Sequence, residues 1–468
     1  MAMIENTARR NQNIAVFGLG VSGIATASAL AQSGVHVTAW DDGAAARTAA
    51  GQQGITLADP RKTDWSDMDA LVLSPGIPLT HPEPHEIVRL AQAADCLILG
   101  DIELLAEACP DATFIAITGT NGKSTTTALI GHVLESCGLN IQIGGNLGPP
   151  ALSLEPLRRD GAYVLELSSY QLDLTHEARF DIAVLLNISP DHLDRHGGMD
   201  GYIAAKKRIF RNRENGGQVA VIGVDDAHGV ALADDIAARD GWRVIRISSR
   251  TPVTGGVYVI DGRLFDHMDG NAGAPFEVCD LSAVITLPGA HNWQNAAACY
   301  AVARIMELTP GDIAEKLALY PGLAHRQETV SRISGVLYVN DSKATNPDAA
   351  SRALGSYDTI YWIAGGRAKD GGLGPVLPLL DRVRHAFLIG EAEGSFADEL
   401  NDRIPFDRCG DLSSALSAAH ALAQAEQIDG AVVLLSPACA SFDQWPNFEA
   451  RGDAFRQQVQ AFAAEGVQ

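Results

Sequence analysis

The feature that most constrains the fold is a glycine-rich loop between a strand-like segment and a helix-like segment. The run "FIAIT" at 114–118 is apolar and β-branched, "GTNGKS" follows it, and "TTTALIGHVLESCG" continues with helical composition. Backbone amides of such a loop, at the start of a helix, bind phosphate oxygens. We therefore predict an α/β domain with a phosphate site, although Ile117 stands where the usual P-loop pattern has its first glycine.

Each polar group of this loop has a role in the hypothesis. Backbone N–H groups from Gly119 to Gly122 would surround phosphate oxygens, Lys123 would neutralise the transferring phosphoryl group, and Ser124 would ligate magnesium. The alternative is a glycine turn that binds nothing, but the strand–loop–helix context argues against it.

A second glycine turn lies about a hundred residues earlier, in "IAVFGLGVSG". Gly18, Gly20 and Gly23 follow a predicted strand and precede a predicted helix, and Asp41 follows the next strand about 20 residues later. This pattern is compatible with NAD(P), with another nucleotide diphosphate, or with a packing turn that holds no ligand.

The rest of the chain alternates β-rich apolar runs with alanine-rich helical runs, which is typical of parallel sheets with crossover helices. We predict three α/β domains: a Rossmann-like N-terminal domain at 1–103, a central P-loop ATPase-like domain at 104–322 and a C-terminal Rossmann-like domain at 323–468. A glycine-rich stretch at about 245–290 is expected to be irregular. In the first two domains the predicted strands are 13–17, 36–40, 70–74, 96–99, 114–118, 163–167, 182–187 and 219–222.

Composition excludes several classes of protein. The net charge of −22 over 468 residues argues against a nucleic-acid partner, because no basic stripe is available for phosphates. No apolar run approaches the roughly 20 residues that a membrane-spanning helix needs. The N-terminal run "MAMIENTARRNQN" lacks the apolar core of a signal peptide, so a cytoplasmic protein is expected. Seven scattered cysteines form no C-x-x-C; Cys439 could be a nucleophile or, as we expect, a buried core residue.

Polar side chains at the ends of two central strands are candidate metal ligands. Glu166 ends the strand in "VLELSSYQL", and "DHLDRH" at 191–196 brings two aspartates and two histidines after another strand. Zinc is one interpretation of the histidines; a magnesium site with few protein ligands and phosphate oxygens fits the composition better. Capping or solvated loop residues are the alternative. From spacing alone, Lys206 and Lys207 belong to a solvated helix face.

Motifs in a fixed order along nearly the whole chain resemble the Mur ligase family. They include "TGTNGKST", "GGNLG", "LELSSYQL", "DHLDRHG", "AAKKRIF", "HNWQNAAA", "HRQE", "NDSKATN" and "SPACASFDQWPNFEARGDAF". The resemblance implies that the first domain binds a UDP-sugar rather than NAD, the central domain binds ATP, and the C-terminal domain binds an amino acid. It also explains the missing early glycine, which the family's ATP loop lacks.

The resemblance further implies the reaction. ATP and Mg²⁺ would activate the carboxylate of UDP-N-acetylmuramoyl-L-alanine as an acyl phosphate, and the amine of D-glutamate would displace the phosphate. Lys123, His192 and Lys206 would take part in catalysis, and Ser124, Glu166, His192 and Lys206 would hold metal, with Lys206 as a carbamate. The implied ATP-binding residues are Gly119, Thr120, Asn121, Gly122, Lys123, Ser124, Thr125, Asn292, Asn295, Arg326 and Asp341.

Two substrate sites are implied in the same way. Gly43 stands where relatives place an arginine beside uracil, which leaves the uracil contacts open. Phe448 would contact D-glutamate through its backbone or only pack in the core. The implied UDP-substrate residues are Gly18, Leu19, Gly20, Ser22, Gly23, Asp41, Asp42, Ser74, Gly76 and Asn146, and the implied D-glutamate residues are Lys343, Thr345, Lys369, Ser441 and Phe448.

Three other functions remain open at this point. A sibling ligase would add a different amino acid by the same chemistry. The first glycine turn alone would also suit an NAD-dependent oxidoreductase fused to an ATPase-like module, and the second would suit a nucleotide switch. We expect a monomer that acts on small molecules.

Overall fold

The structure is a computed structural model that describes residues 4–213, 216–270, 273–368 and 372–465. Within these ranges the chain divides into two compact units. The first contains residues up to Ala283 together with Ala290–Tyr320, and the second contains Val284–Gly289 together with residues from Pro321 onward.

The first unit begins with a parallel four-stranded sheet in the order β2-β1-β3-β4. Its central strands are buried from Ile14 to Phe17 in β1 and throughout β3, and they are rich in valine, isoleucine and leucine, as strands covered on both faces require. The strands are β1 Asn13–Phe17, β2 His36–Trp40, β3 Ala70–Leu73 and β4 Leu97–Leu99, and the helices are α1 Val21–Gln32, α2 Ala44–Gln52, α3 Glu86–Ala93 and α4 Asp101–Ala108.

The same unit contains a nine-stranded sheet in the order β13-β12-β11-β10-β9-β8-β5-β7-β6. All neighbours are parallel except β11–β12 and β12–β13, which are antiparallel. The strands are β5 Thr113–Thr118, β6 Asn140–Gly145, β7 Gly161–Glu166, β8 Ile182–Leu185, β9 Gln218–Gly223, β10 Trp242–Ser248, β11 Gly256–Ile260, β12 Arg263–His267 and β13 Phe276–Asp280. The helices are α5 Lys123–Ser136, α6 Ser169–Asp173, α7 Leu193–His196, α8 Met199–Lys207, α9 Ala227–Ala237, α10 Ala290–Ile305 and α11 Pro310–Ala318.

The second unit is built on a six-stranded sheet in the order β14-β15-β19-β16-β17-β18, parallel except for the β14–β15 pair. Leu337 and Val339 pack on one face and Tyr338 on the other, so each face has its own apolar core. The elements are β14 Glu328–Ile333, β15 Val336–Asn340, α12 Pro347–Leu354, β16 Ile360–Gly365, β17 Val383–Ile389, α13 Glu393–Leu400, β18 Phe406–Gly410, α14 Leu412–Glu426, β19 Val432–Leu435 and α15 Phe448–Glu465.

Helix starts follow the local sequence. Asp226, Thr309, Asn346 and Asp411 each precede a helix and accept a hydrogen bond from a backbone amide of its first turn. Ser168 and Gln171 form a reciprocal capping box at the start of α6. In the described part of the chain, no helix is both long enough and apolar enough to cross a membrane.

The predicted α/β class and the predicted strands agree with this architecture to within one or two residues at most ends. The expectation of an irregular stretch at 245–290 is wrong for much of that stretch, because β10 to β13 occupy it and extend the central sheet. The three-domain division at 103 and 322 stays a prediction.

Candidate functional site

The ATP loop predicted at 119–124 lies between β5 and α5. Gly119 and Gly122 have φ of 151° and 83°, values that L side chains rarely adopt. A Cβ on Gly122 would lie 2.4 Å from Oδ1 of Asn295, so the loop also needs glycine there for space. Asn295 is thereby placed at the loop, and its Nδ2 donates to Oδ1 of Asn292 at 3.2 Å. Both asparagines are buried.

Residues after β8 hold the loop in shape. The amide of Thr120 donates to the carbonyl of Asn187 at 2.9 Å, and the amide of Asn121 donates to the Asn187 side chain at 2.9 Å. The Thr120 hydroxyl lies 3.1 Å from both the Ser189 carbonyl and the Tyr202 hydroxyl. Ser124 is buried and Thr125 half-buried at the start of α5. Contacts within the protein therefore hold the loop in this conformation.

The Nζ atoms of two lysines meet at one carbonyl of this loop. Nζ of Lys123 donates to the carbonyls of Gly119 at 2.9 Å and Thr120 at 2.8 Å, and Nζ of Lys206 donates to Gly119 at 2.8 Å. Lys206 is 1% exposed and lies over the Tyr202 ring. Burial, and next the charge of Lys123, lower the pKa of Lys206 well below its usual value.

The solvated-face interpretation of the lysine pair is therefore wrong for Lys206. The local spacing could not show this, because the surface that covers the residue comes from the glycine loop some 85 residues earlier. For Lys207 the interpretation holds: its side chain is 40% exposed and pairs with Asp235 at 2.8 Å.

Glu166 ends β7 beside the glycine segment after β6. It is 2% exposed, and its Oε1 accepts a hydrogen bond of 2.6 Å from Nδ2 of Asn146. Its Oε2 is buried without a hydrogen-bond partner among the described residues. Burying a carboxylate oxygen without a partner destabilises the fold unless a cation or a hydrogen-bond donor binds to that oxygen.

The "DHLDRH" segment does not form one cluster. His192 is half-exposed in a left-handed conformation, with Nε2 3.5 Å from Asp191, whereas Asp194 is exposed. Burial lowers the pKa of His192; Lys123 acts in the same direction, and Asp191 opposes them. His196 is buried and bonds to α6 instead. No group of three His, Cys, Asp or Glu residues suited to a metal occurs in the described ranges.

A cavity of about 540 Å³ brings Lys123, His192 and Lys206 together, whereas Ser124 and Glu166 are not part of its wall. Its wall includes residues from the first glycine turn as well as from the ATP loop, so one space is open to both. The wall residues that matter here are Ser22, Gly76, Lys123, Asn146, His192 and Lys206.

The first glycine turn is tightly packed. Gly18 has φ of 94°, its carbonyl accepts a hydrogen bond of 2.7 Å from Ser74, and a Cβ on Gly23 would lie 1.8 Å from the same carbonyl. The backbone can approach this closely only without a side chain at Gly23. Gly20 precedes α1, and Leu19 donates its amide to Oδ2 of Asp41 at 2.7 Å.

Arg47 is a candidate binding residue that no motif in the sequence indicated. From the first turns of α2 it donates to the carbonyls of Asp41 at 2.7 Å and Asp42 at 2.8 Å, and its guanidinium lies over the Trp40 ring. Asp42 also pairs with His85 and Arg61. A guanidinium is thus present at the end of β2, although position 43 is glycine.

In the second unit, the predicted ribose ligand Asp341 is buried, and Ser436 and the amide of Gln327 donate to its carboxylate. Burial raises the pKa of Asp341 to about 7. Arg326 is half-buried in the turn before β14.

Of the predicted D-glutamate ligands, Lys343 and Thr345 lie on one segment and Ser441 on another, and Arg451 joins these two segments. Arg451 is 1% exposed; its Nε donates to Oγ of Ser342, and its Nη2 donates to the carbonyls of Ser342 and Cys439. Burial lowers the pKa of Arg451 to about 10. Cys439 is itself buried, and burial raises its thiol pKa to about 12, which supports its core role.

The individual ligands are placed as follows. Lys343 lies 5.4 Å over the Phe448 ring, and the Phe448 carbonyl accepts a hydrogen bond from Ser342. Thr345 is half-buried two residues after Lys343, and Ser441 is buried two residues after Cys439. Lys369 lies outside the described residues.

Two parts of the chain match models of known protein families. Residues 117–303 match the family model of the Mur ligase middle domain, and residues 325–439 match that of the Mur ligase glutamate ligase domain. A protein of Paramagnetospirillum magneticum named UDP-N-acetylmuramoylalanine–D-glutamate ligase is 51% identical over 465 residues, 99% of this chain and 100% of that protein. A protein of the same name from Rhodospirillum rubrum is 51% identical over 96% of this chain and 94% of its own length.

Solved structures with a similar fold have much lower identity. The UDP-N-acetylmuramate-alanine ligase of Thermotoga maritima superposes with a TM-score of 0.57 at 16% identity, over 96% of this chain and 99% of that chain. The MurF ligase of the same organism, solved in complex with ADP, superposes with a TM-score of 0.57 at 16% identity, over 98% of this chain and 97% of that chain. These likenesses concern the fold alone, and they confirm the predicted α/β class.

Proposed function

The chain belongs to the Mur ligase family, and on that premise we propose that it joins D-glutamate to UDP-N-acetylmuramoyl-L-alanine at the expense of ATP, through an acyl phosphate. The observation that carries the proposal is a cavity whose wall includes both residues of the first glycine turn and Lys123 of the ATP loop. A UDP-sugar held at the first turn would extend its carboxylate into the same space as the terminal phosphate of ATP.

In the first step two anions must meet. The substrate carboxylate attacks the γ-phosphorus, the bond to the bridging oxygen breaks, and ADP leaves. Lys123 would leave its two loop carbonyls to neutralise the transferred group, and the amides of Gly119 to Gly122 would hold the phosphate chain. The acyl phosphate is a far better acylating agent than a free carboxylate, which is why this order of steps suits amide formation at neutral pH.

The donor set fits Mg²⁺. The buried unpartnered Oε2 of Glu166 is a hard oxygen ligand, and the Ser124 hydroxyl stands at the position of the loop that serves this purpose in P-loop enzymes. Ser124, with Glu166 nearby, would hold one metal ion, and His192 and Lys206 would help to hold a second, with phosphate oxygens completing both shells. Bound Mg²⁺ would supply charge neutralisation of the phosphates.

Lys206 would hold a metal only as a carbamate, because an ammonium repels Mg²⁺. Its burial and its lowered pKa support this modification, since the neutral amine is the form that adds to CO₂. The Nζ–C bond forms, and the resulting acid loses its proton to give a carboxylate on a four-carbon stem.

Lys206→Ala is expected to be folded but nearly inactive, with acetate or formate restoring part of the activity by filling the anion site. Lys207→Ala, which removes only a surface pair with Asp235, is the matched control and should lose much less. Steady-state phosphate release, in CO₂-depleted and in air-equilibrated buffer, measures the activity of both variants. Full activity of Lys206→Ala in either buffer would show that Lys206 has no role in the site.

The amino-acid site is assigned to the C-terminal domain, 323–468, with the UDP-sugar at 1–103 and ATP at 104–322. Lys343 and Lys369 suit a dianionic amino acid, with Thr345, Ser441 and Phe448 beside them. Arg326 would reach the γ-phosphate and Asp341 the ribose. Arg451 supports this assignment because it fixes the segments before Lys343 and Ser441 to one another.

Phosphate release with each candidate amino acid, with and without UDP-N-acetylmuramoyl-L-alanine, tests the function. We expect release only when UDP-substrate, ATP, Mg²⁺ and D-glutamate are all present, with a product heavier by one glutamyl residue. Release with another amino acid would establish a sibling ligase instead. Release without either substrate would favour a nucleotide switch.

We also propose that the enzyme acts as a monomer in the cytoplasm, where its nucleotide substrates are found. Light scattering coupled to size-exclusion chromatography should give a mass near that of one chain of 468 residues. A stable dimer mass would contradict this part of the proposal.

A further inference from the structure

Three side chains on α6 and α7 contact one another in series. Nε2 of His196 is hydrogen-bonded to Oγ of Ser169 at 2.9 Å, and Nδ1 of His196 lies within ion-pair distance of Oδ2 of Asp173, at 3.2 Å. Because the Asp173 carboxylate faces Nδ1, we assign the hydrogen to Nδ1, and Nε2 then accepts from the serine hydroxyl. The order Ser169–His196–Asp173 is that of a nucleophile or relay serine, a base, and the carboxylate that orients the base.

The imidazole is held rigidly. Its side chain is 3% exposed, it stacks on Tyr170 at 5.4 Å between ring centroids, and it contacts the Tyr202 ring at 5.5 Å. The charged and titratable side chains around it are Asp173 and Tyr170 from α6, His192 and Arg195 near α7, and Tyr202 and Arg208 from α8 and its end. Arg208 lies 3.5 Å from the other oxygen of Asp173.

Only the serine end of this series reaches the cavity. Ser169 is part of the cavity wall that also includes Lys123, Asn146 and Lys206, whereas His196 and Asp173 are not. A proton accepted at the cavity by Ser169 can therefore pass to a base that never contacts the substrate.

The second half of the proposed reaction needs such an acceptor. An amine that attacks an acyl phosphate becomes positively charged and must lose a proton before the amide is stable. Lys123 is a cationic donor, and Lys206 as a carbamate would be committed to a metal, so neither is suited to this task.

We propose that Ser169, His196 and Asp173 form the proton relay for amine attack, a step that rests on the ligase function proposed above. As the N–C bond forms, an N–H bond of the amine breaks and an O–H bond forms on Ser169. The original Ser169 O–H proton passes to Nε2 of His196, and Asp173 stabilises the imidazolium. The C–O bond to phosphate breaks with its electron pair on phosphate, and His196 returns the proton to solvent through Ser169 after release.

The test separates amine attack from acyl phosphate formation by changing the nucleophile. Hydroxylamine is uncharged at neutral pH and attacks acyl phosphates without a general base, so its hydroxamate product reports the first step alone. In Ser169→Ala and His196→Gln we expect D-glutamate ligation to fall roughly 10²–10⁴-fold, while ATP-dependent hydroxamate formation stays within about twofold of wild type.

His176→Gln is the control, because His176 bonds the carbonyl of Ile98 and is not part of the cavity wall. This variant should retain both D-glutamate ligation and hydroxamate formation. Ser169→Ala removes a single oxygen, so its fold should survive even if His196→Gln does not, and thermal unfolding checks both.

Equal loss of both products in Ser169→Ala would assign the serine to the first step or to packing and would overturn the relay. Unchanged ligation in that variant would overturn it as well. If wild type forms no hydroxamate with ATP and the UDP-substrate, the ligase function itself fails, which is a different result.

Discussion

The buried carboxyl group of Asp101 allows a quantitative test of how burial changes a side-chain pKa and the stability of the fold. It is the first residue of α4, it is 5% exposed, and its Oδ1 has no hydrogen-bond partner among the described residues. Burial raises its pKa from 3.8 to about 6, although the amides of Ile102 and of Asp101 itself oppose this. Asp101→Asn removes the ionisation and keeps the shape.

The sign of the effect follows from proton binding. Between about pH 4 and pH 6 the unfolded chain releases the Asp101 proton and the folded protein retains it, so stability falls as pH rises through this window. Above pH 6 the penalty is constant. The difference between 3.8 and about 6, at about 1.4 kcal/mol for each pKa unit, corresponds to about 3 kcal/mol. Asp101→Asn should therefore gain up to about 3 kcal/mol over wild type at pH 8 and much less at pH 4.5.

Urea unfolding of both proteins at several pH values between 4.5 and 8 measures this difference. Glu103→Gln is the matched control on the same helix: Glu103 is also buried, but it accepts amide hydrogen bonds from His176 at 2.7 Å and Glu177 at 2.8 Å. That variant should be less stable than wild type at pH 8. An Asp101→Asn protein no more stable than wild type at pH 8, or with a gain that does not shrink towards pH 4.5, would refute the reasoning.

Three further predictions concern the substrate sites. Lys123→Ala should lower turnover roughly 10²–10⁵-fold without weakening UDP-substrate binding in calorimetry, and near-normal turnover would contradict the loop assignment. Arg47→Ala should raise the KM for the UDP-substrate about tenfold at constant kcat, in line with about 1.5 kcal/mol for charge-assisted hydrogen bonds; an unchanged KM would exclude Arg47 from uracil recognition. Arg451→Met should raise the KM for D-glutamate and leave the affinity for the UDP-substrate unchanged, because its three hydrogen bonds all lie in the second unit. Equal losses for both substrates would indicate a global defect instead.

Much of the fold was predictable because its strands are buried on both faces. Runs such as that of β5 contain only residues that favour a covered strand, and their ends are marked by glycine or polar residues. The stretch containing β10 to β13 was not predicted, because the glycines at 255, 256 and 262 suggested irregular structure. In the fold they form turns and a close approach: a Cβ on Gly256 would lie 2.0 Å from the carbonyl of Arg246.

The candidate site was predictable where chemistry is local and not where it depends on packing. The phosphate loop is one continuous segment, so its residue types and spacing are sufficient. Lys206 is contacted by Thr118 and Gly119, and His196 is contacted by Ser169. These partners are 27 to 88 residues apart in the sequence, and no local sequence pattern indicates contacts over such separations. Sequence grouped His196 with His192, four residues away, whereas the short helix α7 turns one to the cavity and the other towards α6.

The Gly119 carbonyl, which accepts from both Lys123 and Lys206, would make the binding of CO₂ and of ATP thermodynamically interdependent. Carbamylation would replace the Lys206 amine at this oxygen by an anion, which would favour the cationic form of Lys123 and, together with Mg²⁺, the binding of the phosphates. By reciprocity, the factor by which CO₂ raises the affinity for ATP equals the factor by which ATP raises the carbamylated fraction. Dissolved CO₂ would then act as an effector of this enzyme, and inhibitor constants for its nucleotide site would have meaning only at a stated bicarbonate concentration.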